Sequence, residues 1–341
     1  MNSNRKKRLL WQLPFLVLLI VGTILIIRQQ RALPYQKNSG MVFGTVYNIT
    51  YECDSDLHQA IKAELQKVDQ SLSPFNEHSI ITAINQNKDV EPDEMFLTVF
   101  NKAMEISRET SGAFDITVAP LVNAWGFGFK NGIQPNRQQV DSLRRLIGYE
   151  KVSLKDGRIV KQLPDIMLDC SAIAKGFGSD VVALFLQQQG VKNFMVEIGG
   201  EIVTSGVNPQ RLPWKIGVTK PTDDTLSVKG ELQSVLNVTD LAMATSGNYR
   251  NFYYKGGKKY AHTIDPKTGY PVQHSLLSAT VLAKDCATAD AYATSFMVLG
   301  IDGAKKVLER HPELMAYFIY SDANGQNAVW CSPSLKDKIV E

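Results

Sequence analysis

From residue 40 to the C-terminus, apolar residues recur now at every second position and now at helical spacing, with no regular alternation of strand, helix and strand. Neighbouring parallel strands need a long crossover between them, so this irregular order predicts an α+β domain whose sheet is largely antiparallel. Strand-like runs cover Val42–Tyr51, Ile166–Leu168, Phe194–Ile198, Ile202–Val207, Trp214–Val218, Val235–Val238, Tyr260–Ile264 and Ser278–Leu282. Helical spacing appears over Asp56–Ser71, from an N-cap at Asp93 to Gly112, from Ala172 to Gly190, and over Ala287–Leu299 up to Gly300. No repeat, low-complexity tract or compositional break divides the region, so residues 40–341 read as one integrated domain.

Ahead of the domain, Leu9–Ile27 is apolar apart from Gln12 and Pro14 and approaches the ~20 residues that cross a bilayer as a helix. The cluster Arg5-Lys6-Lys7-Arg8 before it predicts a cytoplasmic tail over 1–8, a transmembrane anchor over 9–27 and a tether over 28–39. The domain is then expected on the outer, periplasmic side of a bacterial inner membrane. A cleaved signal peptide is the competing reading, but no small-x-small cleavage site precedes Gln29-Gln30. The net charge is only +3 and is partly supplied by the N-terminal cluster, so the rest lacks the basic excess needed to bind a phosphate backbone. Nucleic acid is set aside as a partner. Cys53, Cys170, Cys286 and Cys331 form no CxxC pair and have no histidine at zinc spacing, which disfavours zinc and leaves disulfide pairing open.

Several short segments carry more chemistry than their positions require. Ser111-Gly112-Ala113-Phe114-Asp115 puts a glycine, a ring and a carboxylate at a helix exit, where they suit a planar ligand or, more simply, a helix cap with a core Phe. Asp169-Cys170-Ser171-Ala172-Ile173-Ala174-Lys175-Gly176 turns from a strand into a helix, a geometry that aims amides at anions, although Asp169 could equally be a cap and Lys175 solvated. Val196-Glu197-Ile198-Gly199-Gly200-Glu201 leaves a strand through paired glycines, which a tight turn alone would explain. His262 follows Ala244-Thr245-Ser246-Gly247-Asn248-Tyr249-Arg250 and could accept a hydroxyl proton, or merely hydrogen-bond on its strand. Asp290 and Thr294 share one face of a helix and offer two hard oxygens, though a cap and a back-bonded hydroxyl are the commoner use of such residues.

Taken in this order, these segments resemble the ApbE family of flavin transferases over nearly all of residues 40–334. Phe43-Gly44-Thr45, Leu72-Ser73-Pro74-Phe75 and His262-Thr263-Ile264-Asp265-Pro266 add to the match. The resemblance implies a fold related to the tunnelling fold, with FAD bound in a cleft and its FMN half transferred to a threonine hydroxyl of a partner protein. It implies that Phe43, Phe75, Ala113, Phe114, Asp115, Asp169 and Lys175 lie against FAD. It further implies Mg²⁺ held by the Ala172 carbonyl and by the side chains of Asp290 and Thr294. The acceptor it suggests is a flavoprotein subunit of a membrane redox pump, such as a sodium-translocating NADH:quinone reductase or its Rnf-type relative. Many relatives carry Met where this chain has Phe43, and some carry a carboxylate where it has Ala293. Within that reading His262 is the candidate general base, since attack on a phosphorus requires removal of the nucleophile's proton. Hydrolysis of FAD to FMN and AMP, and flavin carriage without catalysis, are the rival readings.

Overall fold

The computed structural model describes residues 14–23, 33–129, 134–221, 231–248, 252–255 and 258–340. Its centre is an eight-stranded sheet in the order β1 (Tyr35–Val42), β2 (Thr45–Glu52), β5 (Phe194–Ile198), β6 (Glu201–Ser205), β9 (Ala242–Gly247), β12 (Leu276–Ala283), β13 (Met315–Ser321) and β14 (Asn327–Cys331). Every neighbouring pair is antiparallel. The remaining strands pair as small hairpins: β3 (Val152–Lys155) with β4 (Arg158–Lys161), β7 (Lys215–Thr219) with β8 (Leu232–Asn237), and β10 (Phe252–Lys255) with β11 (Lys258–Ala261).

After the N-terminal segment, the α-helices among the described residues are α1 (His58–Leu72), α2 (Ile80–Asn85), α3 (Glu94–Glu109), α4 (Ala119–Ala124), α5 (Arg137–Arg144), α6 (Ala174–Gln188) and α7 (Cys286–Arg310). Burial along the strands shows how the layers stack. In β5, Phe194, Val196 and Ile198 are buried and pack in one cluster with Val182, Ala183 and Leu186 of α6, while Met195 and Glu197 between them are only partly buried. β12 is buried at seven of its eight positions: Ala279 and Val281 face the α7 side, and Leu282 joins Val218 and Leu236 of the β7–β8 hairpin on the other. The sheet centre is thus covered on both faces, which is why β12 reads as a nearly unbroken apolar run.

Close contact between α6 and α7 is built into the chain. A Cβ on Gly176 would lie 2.3 Å from the Cys286 carbonyl oxygen, so only glycine lets the two helix starts approach this closely. Asp285 caps α7 through the Thr288 amide at 2.8 Å, and Asp180 of α6 accepts the Cys286 and Ala287 amides at 2.7 and 2.8 Å. At Gly300 the expected end of this helix is a break within it: φ is 68° and ψ is 178°, after which helical structure resumes to Arg310. His274 Nε2 lies 2.7 Å from the Met297 carbonyl, next to the break.

Three sequence expectations need correction. Among the described residues no helix is long and apolar enough to cross a membrane, so the expected transmembrane helix and single-pass inner-membrane placement are not supported. Residues 14–23 form a helix covering roughly half of a ~30 Å hydrocarbon core, and residues 1–13 and 24–32 lie outside the described ones. The tether was expected to reach Ser39, yet residues from Tyr35 onward pair with β2 as an edge strand. Finally, Ile166–Leu168 belongs to no sheet. At Leu168 the Asn85 side chain takes the place of a strand partner, donating to the carbonyl at 2.9 Å and accepting the amide at 2.7 Å, while the Ile166 carbonyl accepts from Lys161 Nζ at 2.9 Å. Ile166 and Leu168 are nonetheless fully buried, so burial without pairing produced the strand-like pattern.

Candidate active site

One cavity of about 440 Å³ opens where the β1–β2 turn, the α3–α4 loop, the start of α6, the end of β9, the segment after β11 and the first half of α7 converge. Phe43, Phe75, Ala113, Phe114, Asp115, Asp169, Ala172, Lys175, His262, Asp290 and Thr294, the residues singled out in the sequence, all line it. They span almost the whole length of the domain in sequence, and only the fold brings them together. Tyr249 and Arg250 lie outside the described residues.

The walls are aromatic. Phe43 sits at φ 50° in the β1–β2 turn, and its ring fills the space a Cβ on Gly178 would need. Phe75 is 68% exposed at the rim, edge-on to Phe129 at 6.0 Å. An exposed ring with so little packing has little structural purpose of its own. His262 follows directly after β11, half-buried, with its ring 6.4 Å from Phe127 in an edge contact. Trp125 steadies this wall by stacking on Tyr260 at 5.7 Å and donating to the Gly269 carbonyl at 2.8 Å.

The α3–α4 loop combines the simpler reading of its motif with the functional one. Phe114 is buried in the main core and also forms part of the cavity wall. Asp115 accepts the Thr117 amide and hydroxyl at 2.8 and 2.7 Å and the Tyr149 amide at 2.9 Å, so both oxygens are used in holding the loop. Burial pushes its carboxyl up, and those hydrogen bonds oppose the shift. Asp169 accepts the Ser171 amide at 2.8 Å in a tight turn, and burial likewise raises its carboxyl.

Charge is concentrated where α6 meets α7. Lys175 Nζ lies 2.8 Å from Glu201 Oε1 and 3.7 Å from Asp290 Oδ2. Burial works against the ammonium, but Asp290 and Glu201 outweigh it and hold Lys175 above its ordinary value. Burial also pushes the Glu201 carboxyl up, with Lys175 opposing and Asp290 reinforcing the shift. Asp290 Oδ2 accepts the Gly176 amide at 3.0 Å, which in a continuous helix would bond the carbonyl of Ala172 four residues back. One turn further along α7, the Thr294 hydroxyl lies 3.2 Å from that of Ser246.

Sequence reasoning missed Glu201, Ser246 and Asp180 as contributors. Glu201 was visible only as the residue after Gly199-Gly200. All four cysteines are free thiols, with Cys170 and Cys286 buried.

The family model for ApbE matches residues 43–318, most of the chain and every segment that lines the cavity. The chain belongs to the ApbE family. An FAD:protein FMN transferase of Vibrio cholerae is 40% identical over 290 residues, covering 81% of this chain and 86% of the relative. One from Haemophilus influenzae is 39% identical over 306 residues, covering 84% and 87%. Among solved structures, the flavin transferase ApbE of Vibrio cholerae superposes with a TM-score of 0.81 at 35% identity, covering 89% of this chain and 100% of that one. The apo flavinyl transferase ApbE of Pseudomonas stutzeri gives the same TM-score at 27% identity, covering 92% and 99%. The ApbE fold is therefore common to chains that differ at most positions.

Proposed function

We propose that this chain transfers the FMN half of FAD to a threonine hydroxyl of a partner protein, releasing AMP, with Mg²⁺ as a required ion. The observation that carries the reading is a cavity that unites aromatic walls with the Lys175, Asp290 and Thr294 corner, in a member of a family whose relatives are called FAD:protein FMN transferases. The partner brings the nucleophile, so the cleft needs none of its own. The partner's oxygen bonds to the FMN phosphorus, the pyrophosphate bond to AMP breaks, and the hydroxyl proton passes to His262. Phe43 and Phe75 hold flat rings in place, and Lys175 neutralises phosphate charge.

The oxygens at the α6–α7 corner fit Mg²⁺. Asp290 would supply a carboxylate oxygen, Thr294 a hydroxyl, and Ala172 a carbonyl whose helical donor, the Gly176 amide, is bonded to Asp290 instead. Among the described residues no cluster of three or more His, Cys, Asp or Glu could hold a metal. When bound, Mg²⁺ would neutralise charge developing on the phosphates. A flavoprotein subunit of a sodium-translocating NADH:quinone reductase or an Rnf-type complex is the acceptor class to try first.

Incubating the purified protein with FAD, Mg²⁺ and a threonine-bearing acceptor subunit should give AMP and covalent acceptor fluorescence in equal amounts. AMP without labelled acceptor would mark the chain as an FAD pyrophosphatase, and FAD binding without AMP would mark a flavin carrier.

A further inference from the structure

Glu201 is only 3% exposed, and its Oε2 is buried without any hydrogen-bond partner. A buried carboxylate with half its capacity unused is costly, so its retention on the cavity wall calls for a purpose. Its other oxygen holds Lys175 at 2.8 Å, nearly an ångström closer than Lys175 comes to Asp290. Among the described residues no third carboxylate lies within ion-pair distance of Lys175. The backbones of Lys175 and Asp290 are fixed by the α6–α7 contact, and Asp290 is further anchored by the Gly176 amide, so the flexible lysine side chain decides which carboxylate is neutralised.

We propose that Glu201 is a positioning residue that draws the Lys175 ammonium off Asp290, keeping Asp290 open to a divalent cation until the phosphates of FAD take over the lysine. The proposal rests on the cation reading of Asp290 and Thr294 given above. An ammonium and a metal ion compete for the same carboxylate in a shielded site, where their mutual repulsion is strong. Without Glu201, the one carboxylate left for Lys175 is Asp290, and a tight Lys175–Asp290 pair would close the cation position. With Glu201 present, the lysine waits beside the site and moves a short distance when an anionic ligand arrives.

The test is binding of Mn²⁺, a paramagnetic substitute for Mg²⁺, measured by electron paramagnetic resonance on the full chain without nucleotide. Glu201→Gln should weaken Mn²⁺ binding about tenfold, whereas in a Lys175→Met background the same change should alter it less than about threefold, because coupled residues are non-additive. Glu201→Asp keeps the charge but shortens the reach, so it should also weaken Mn²⁺ binding and separates position from charge if the Gln variant folds poorly. Matched circular dichroism is required of each variant. A Glu201→Gln loss of equal size in both backgrounds would overturn the proposal by making Glu201 act on the cation directly. Unchanged Mn²⁺ affinity in Glu201→Gln would overturn it as well. If the native protein binds no Mn²⁺ with or without FAD, the cation reading itself fails and this inference falls with it.

Discussion

Asp180 of α6 and Glu201 of β6 are shielded carboxylates, and burial pushes both upward, Asp180 to about 7. The chain around them treats them differently. Each oxygen of Asp180 accepts a backbone amide from the first turn of α7, so the residue closes a helix end that would otherwise be unsatisfied. Glu201 has one oxygen on the Lys175 ammonium and the other without a hydrogen-bond partner, on the wall of the cavity. A fully satisfied carboxylate belongs to the fold, while a half-satisfied one facing a cavity is held in readiness for a ligand.

The largest effect expected from separating the two regions lies on the cavity side. His262→Asn should slow FMN transfer by ~10² to 10⁴, the usual contribution of a general base, while FAD affinity and thermal stability stay near native. Activity and FAD affinity falling in parallel would make His262 a ligand contact instead.

Next comes the structural side. Asp180→Asn leaves an amide NH₂ facing one of the two α7 amides, which should cost about 2 kcal/mol of unfolding free energy in denaturant titrations at pH 8. Its pH signature is separate. Unfolded, the carboxyl ionises at its ordinary 3.8, and folded at about 7, so between these values the folded state holds the extra proton. That contribution is fully present below 3.8 and is lost as pH rises through about 7, so native stability should fall over this window and the Asn variant should lack that part of the slope. Equal slopes in both proteins would show that the backbone amides keep Asp180 ionised throughout.

The smallest effect is expected at the rim. Phe75→Ala should weaken FAD binding about tenfold by fluorescence titration, the lower range for loss of one stacked ring. Thermal stability should hold, because the ring is 68% exposed. A melting temperature that drops with unchanged FAD affinity would assign Phe75 to the fold.

Local pattern alone located much of the architecture. Asp93 was identified as an N-cap from its place before Phe96 and Phe100, and it accepts the Phe96 amide at 2.7 Å. Such caps are legible because donor and acceptor lie three residues apart. Ile166–Leu168 was not legible, because Leu168 is held by Asn85, 83 residues earlier in the chain. β13 and β14 escaped notice, although Phe318 and Ile319 of β13 are fully buried. A strand near the end of a chain gains its meaning only from a neighbour such as β12.

The sequence by itself determined the class of fold and the list of chemically unusual segments, since both rest on periodicity and on motifs within a few residues of each other. Tertiary structure decided which of those segments meet, and how charge is shared among them. Glu201 and Lys175 lie 26 positions apart (201 − 175), and only the packing of α6 against the sheet and α7 sets Lys175 closer to one carboxylate than to the other. Distances of that kind arise from long-range burial, and no local pattern encodes them.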